Sequence, residues 1–95
     1  MKEFKHFING EYVGSGKTFE NRNPVNGSVI GLVHEAGQAE VDSAVAAARA
    51  ALNGPWRQMS LSERVALLHR IADEIDRRSH DFLHAEVADT GKPVK

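Results

Sequence analysis

The chain has 95 residues, 41% of them hydrophobic and 26% charged, with a net charge of -1, a balance that excludes disordered and fibrous classes. No long run of like charges occurs, so a polyanion such as nucleic acid is not an expected ligand, and no cysteine is present, which removes disulfides, thiolate metal sites and a cysteine nucleophile from these residues. No apolar run approaches the roughly 18 residues of a spanning helix and the first seven residues are not a signal sequence, so a cytoplasmic protein off the membrane is expected.

In residues 4–13 the pair Asn9-Gly10 separates Phe7-Ile8 from Tyr12-Val13. Both turn residues accept positive φ, so the spacing predicts a tight hairpin. Gly14, Ser15 and Gly16 follow as a loop. Residues 18–23 read as extended, Pro24-Val25-Asn26-Gly27 as a turn, and Val29-Ile30-Gly31-Leu32-Val33 as the returning strand of a second hairpin.

After Gly37 the period changes: Val41, Ala44, Val45, Ala48 and Leu52 make one apolar stripe on an alanine-rich helix that Asn53-Gly54-Pro55 ends. Ser60-Leu61-Ser62-Glu63 is a capping box that opens a second helix. Its expected buried stripe is Val65, Leu68, Ile71, Ala72 and Ile75, with Arg64, Arg70, Asp73, Asp76 and Arg77 outward. Arg77-Arg78-Ser79 is a point of bending or interruption, and Ser79 is placed to cap a further helix carrying Phe82, Leu83 and Val87. Gly91 and Pro93 stop that helix, and Val94-Lys95 run off as a tail with no closing element. The class is α/β, two hairpins followed by two or three helices.

Few residues offer chemistry. His80 and His84 share a helix face at a spacing of four, but two ligands without a third do not make a metal site, and a solvated face is the expected reading. His6, His34 and His69 are isolated in sequence and are expected to be structural. Ser60, Ser62 and Ser79 lie at helix starts, where capping explains a hydroxyl better than nucleophilic catalysis with no adjacent base. The glycines are scattered at turns, and none forms a phosphate-cradling loop. Trp56 is expected to plug the gap between two helices rather than to anchor a partner. The acids around residues 73–89 speak against a DNA-binding helix-turn-helix.

The order of signals is more specific than any one of them. Phe7-Ile8-Asn9-Gly10-Glu11, Lys17-Thr18-Phe19-Glu20 and Asn23-Pro24-Val25-Asn26-Gly27-Ser28-Val29-Ile30 together resemble the amino-terminal hairpins of the aldehyde dehydrogenase superfamily. The stretch from Glu40-Val41-Asp42 to Ala50-Ala51 is similar to that family's first helix, Gly54-Pro55-Trp56-Arg57 to its interhelix loop, and Asp89-Thr90-Gly91-Lys92-Pro93 to the end of its next helical stretch. Within the family, the opening residues and Val33-His34-Glu35-Ala36-Gly37 look most like the branch acting on 2-hydroxymuconic semialdehyde in aromatic meta-cleavage pathways, with the 2-aminomuconic branch next.

The resemblance implies that residues 1–95 are the amino-terminal part of a Rossmann-like cofactor domain in a subunit roughly five times as long, a homodimer or homotetramer that oxidises a small-molecule aldehyde with NAD. A cysteine, a glutamate and an asparagine carry that chemistry in the family, and none of them can be assigned in these residues. No catalytic or cofactor-binding residue is therefore expected here, and the nearest partner is the remainder of the chain's own subunit. Many family members also hold a structural monovalent cation through the two residues before the Asn-Pro pair and a downstream acid; those positions are Asn21 and Arg22, Arg22 contributing only its backbone carbonyl. The rival reading, from another class, is a free-standing interaction module whose helices present an apolar face.

Overall fold

The computed structural model describes residues 2–93, so the expected tail at Val94-Lys95 lies outside the described residues. Five strands precede four helices: β1 (Glu3–Phe4), β2 (His6–Ile8), β3 (Glu11–Val13), β4 (Thr18–Arg22), β5 (Val29–His34), α1 (Gln38–Leu52), α2 (Pro55–Gln58), α3 (Leu61–Arg77) and α4 (Ser79–Thr90). The strands form two separate sheets, a three-stranded one ordered β1-β5-β4 and the β2-β3 pair.

The first hairpin forms where Asn9-Gly10 predicts it. Asn9 has φ 53° and Gly10 φ 78°, the left-handed pair whose twist suits a two-residue hairpin. Phe7 lies opposite Tyr12, and their rings meet edge to face with centroids 5.1 Å apart, a stabilising cross-strand pair. The hairpin does not reach back to Phe4, however. Residues Glu3 and Phe4 leave it to pair in parallel with Leu32 and Val33 of β5. Gly31 permits that approach: a Cβ there would stand 2.4 Å from Phe4 Cε2 and 2.9 Å from the Lys2 carbonyl oxygen. It is also the one buried position among the described residues.

The second hairpin pairs β4 with β5 from Thr18 opposite His34 to Arg22 opposite Val29, with a register shift at Asn21/Arg22. Its turn is satisfied from within. The Asn23 N–H donates to the Ser28 carbonyl and the Gly27 N–H to the Asn23 carbonyl, both at 2.8 Å. Asn23 Oδ1 accepts from the Val25 N–H and Asn26 Oδ1 from the Ser28 N–H, each at 2.9 Å. These side chains mimic backbone turns, which is why Asn recurs in the segment.

Helix α1 has Glu40 in its first turn and Arg49 in its last, charges that complement the helix dipole. Residues 55–58, expected as loop, form the short helix α2 with Pro55 in its first turn; proline's fixed φ suits that position and its missing N–H costs nothing there. Trp56 stays 42% exposed rather than plugging the helix gap. The Arg64 guanidinium lies 5.0 Å from its ring centroid and donates through Nη2 to the Trp56 carbonyl at 2.9 Å. Arg64, expected to point outward, is thus half-buried against α2, because an aromatic face and a main-chain carbonyl that accepts a second hydrogen bond beside that from Met59 attract guanidinium together.

Ser60 caps α3 as expected: its Oγ accepts from the Glu63 N–H at 3.2 Å and donates to Glu63 Oε1 at 3.0 Å. Ser79, by contrast, caps nothing. Helix α3 ends and α4 begins across the single residue Arg78, whose φ of -107° and ψ of 25° make it the junction, with no side-chain cap. With α3 running through Arg77, Ser79 is already inside the next helix. Gly91 ends α4 in the left-handed conformation, φ 74°, its N–H bonded to the Val87 carbonyl.

The expected buried stripe of α3 is on one face but uncovered. Leu68 is 60% and Ile71 49% exposed, and Val65 and Ile75 are exposed as well. No hydrophobic side chain is fully buried among the described residues. The accessible surface is 7751 Å², where a compact monomer of this mass has about 5,400 Å². The radius of gyration is 17.1 Å and the extents are 48 × 38 × 16 Å, against about 12 Å for a compact domain of this length. The elements are formed, and their apolar faces still await a partner.

Candidate functional site

Asn21 and Arg22, adjacent in β4, diverge in space. Successive side chains of a strand alternate between its faces, and the ladder to β5 shifts register between these two residues. The Asn21 amide reaches the far end of the chain, where Nδ2 donates to Asp89 Oδ1 at 2.9 Å. Arg22 turns into the turn: its Nη1 donates to the Gly27 carbonyl at 2.8 Å, and Nη2 pairs with the Glu20 carboxylate. Asp89, in the stretch Asp89-Thr90-Gly91, is thus the acid that Asn21 meets across the fold.

The junction is shaped by its neighbours. Gly91 faces the second hairpin's turn, so that a Cβ on it would come within 3.1 Å of Pro24 and 3.2 Å of Val25. Beyond Asp89, Thr90 Oγ1 donates to the Glu86 carbonyl at 2.7 Å, and Lys92 pairs with the Glu86 carboxylate at 3.1 Å. An open groove of about 1120 Å³ runs between the three-stranded sheet and α4, lined by Phe4, Ile30, Val33 and Phe82 with Asn21 and Asp89 among its polar residues. A carboxylate, an amide and main-chain carbonyls are hard oxygen donors suited to a monovalent or hydrated cation. The donor set fits such an ion only with the Asn21 amide reversed, since its N–H now faces the carboxylate. Among the described residues no three His, Asp or Glu side chains are placed to share a metal.

His80 and His84 remain on α4 away from any third ligand. The isolated histidines are less isolated than their spacing predicts. His6 and His34 meet edge to face with ring centroids 6.4 Å apart, while His69 stays exposed on α3. The positive-φ glycines Gly10, Gly27 and Gly91 sit in two hairpin turns and a helix C-terminus, whereas Gly37 and Gly54, at the N-termini of α1 and α2, have ordinary extended backbone. Among the described residues no helix is long and apolar enough to cross a membrane.

A sequence model of the aldehyde dehydrogenase family matches residues 12–95. The chain is 66% identical over 95 residues to the 2-hydroxymuconic semialdehyde dehydrogenase of Pseudomonas sp. (strain CF600), covering 98% of this chain and 20% of that protein. It is 49% identical over 94 residues to a 2-aminomuconic 6-semialdehyde dehydrogenase of Pseudomonas sp, covering 99% of this chain and 19% of that one. Among solved structures, the NAD+ complex of an aldehyde dehydrogenase from Bacillus cereus superposes with a TM-score of 0.92 at 43% identity, over 97% of this chain and 19% of that chain. The chain therefore spans about a fifth of the length of the curated relatives it matches.

Proposed function

Because this chain belongs to the aldehyde dehydrogenase family, we propose that it is the opening scaffold of the cofactor domain in a cytoplasmic, homo-oligomeric NAD-dependent dehydrogenase of 2-hydroxymuconic semialdehyde. The observation that carries the substrate is the similarity to the Pseudomonas enzyme of that name along nearly the whole chain, above that to the 2-aminomuconic relative. The likeness to an NAD+-bound structure supports the cofactor.

These residues do not themselves fit NAD, since the glycines at helix N-termini, Gly37 and Gly54, stand singly and not in a glycine-rich loop. With no cysteine in the chain, the thiolate chemistry that the family resemblance implies falls to other residues of the subunit. The role left to this segment is mechanical. Its sheet, hairpin and capped helices present uncovered apolar faces, and burying them against the rest of the subunit is the favourable term that fixes their positions. The same lack of a buried core counts against a free-standing interaction module, because ordering a chain of this length costs more than exposed faces return. We place the structural monovalent cation at Asn21, the Arg22 carbonyl and Asp89, with the amide reversed.

The test is aldehyde-dependent formation of reduced nicotinamide. The full-length subunit is expected to turn over 2-hydroxymuconic semialdehyde with NAD, and residues 1–95 alone to give none. A full-length subunit inactive on that aldehyde but active on another overturns the substrate, and turnover by the short chain overturns the scaffold role. In a separate thermal melt, replacing potassium or sodium by choline is expected to lower the melting temperature of the full-length enzyme; an unchanged melting curve removes the cation.

A further inference from the structure

His34, the last residue of β5, is held closely on several sides. Its side chain is 8% exposed. Its Nδ1 lies 2.9 Å from the Ser15 nitrogen and 3.1 Å from the Ser15 oxygen, and its Nε2 lies 3.3 Å from Glu3 Oε1. The ring rests on bare backbone: a Cβ on Gly14 would come within 3.1 Å of its Cε1. His6 Nε2 lies 3.3 Å from Ser15 Oγ, and that hydroxyl donates to the Lys17 carbonyl at 3.4 Å. The trio Glu3, His34 and Ser15 has the composition of a nucleophilic triad without its geometry. His34 touches the serine's main chain, and the hydroxyl is bonded elsewhere, so nothing here activates it.

What the ring can do is exchange partners with its proton. A neutral imidazole has one donor and one acceptor nitrogen, and an imidazolium has two donors. In the neutral form Nδ1 accepts the Ser15 N–H, which leaves Nε2–H to donate to Glu3. Two donors cannot share the 2.9 Å contact once Nδ1 is protonated, and the Ser15 carbonyl at 3.1 Å is the acceptor within reach. The charged groups around it are Glu3 from β1, His6 from β2, Lys5 between them, and Lys17, which pairs with Glu35 at 3.4 Å.

We propose that His34 is a proton-operated latch between β5 and the loop at residues 14–17: neutral, it holds the Ser15 N–H, and protonated, it releases that N–H and takes the Ser15 carbonyl. This loop joins the β2-β3 hairpin to the three-stranded sheet. The latch therefore sets how firmly one sheet is tied to the other, and through Glu3 it also reaches β1.

The test is hydrogen exchange at the Ser15 amide in the full-length subunit, corrected for intrinsic rates, between about pH 8 and about pH 5. Protection is expected to fall about fivefold to tenfold as the pH is lowered, the loss of one ordinary hydrogen bond, and to become flat in His34→Gln. Unchanged Ser15 protection in the parent chain, or the same pH dependence in His34→Gln, overturns the proposal. A second measurement needs no variant: imidazole nitrogen spectra at high pH should show His34 with its proton on Nε2, and a proton on Nδ1 overturns the latch as well.

Discussion

In the β4–β5 hairpin the connecting turn is closed by hydrogen bonds between groups only a few residues apart. Asn23, Asn26 and Gly27 close the turn, and Arg22 fastens it through the Gly27 carbonyl. Helix α3 is secured differently, at its ends. Ser60 and Glu63 fix its start, Glu74 and Arg77 pair near its finish, and between them the stripe from Val65 to Ile75 meets solvent. Local hydrogen bonds can specify a turn by themselves, whereas a helix face gains its stability from a surface that covers it. The hairpin is thus specified from inside the chain and α3 from outside it.

The sharpest way to break this contrast is Ile71→Ala in the full-length subunit. The expected cost is about 2–5 kcal/mol with the stripe covered there, against under about 0.5 kcal/mol with it open, read from the denaturant midpoint. A loss as small as the second figure would mean that α3 stays open in the subunit too. Gly31→Ala tests the other pole. Its methyl collides with the Lys2 backbone as well as with Phe4, so a loss of about 1–3 kcal/mol is expected in the full-length subunit, with β1 amides losing exchange protection. Retention of β1 in the variant would show that Gly31 is not what admits it.

The smallest effect lies at the end of α3. The hydrogen bonds from Arg77, the largest influence, and the charge of Arg78 hold the Glu74 carboxyl below the ordinary carboxylate range. A depressed carboxyl pKa contributes stability that is present above its unfolded value and lost as pH falls through the folded one. Helicity of α3 is therefore expected to decline slightly in acid, below the ordinary carboxylate range. In Glu74→Gln that decline should vanish from circular dichroism; if it persists unchanged, the Arg77 pairing is not its source.

What the sequence discloses follows the same division. Asn9-Gly10, the turn at residues 24–27 and the Ser60 box are legible because cause and effect lie within four residues of each other. Ser79 misleads for a local reason, since a hydroxyl at a break invites a cap and the break falls one residue earlier, at Arg78. The rest is long-range. Two residues of β1 carry no periodicity, and their pairing depends on an absent side chain at Gly31. The bond from Asn21 to Asp89 spans 68 positions and His34 to Glu3 spans 31, so no spacing rule announces either. Of the candidate site, Asn21 and Arg22 came from the family resemblance, while Asp89 as their spatial neighbour emerged only with the fold.

The bond between Asn21 and Asp89 also bears on the order in which the chain assembles. Arg22 meeting Val29 closes a loop of about seven residues, and Asn21 meeting Asp89 one of 68. The difference in closure entropy is about 2 kcal/mol against the longer contact, more than one exposed hydrogen bond returns. The hairpins and capped helices therefore form first, and the seating of α4 beside the turn at Pro24 comes last and opens first. Slow amide exchange should fade earliest along that seam.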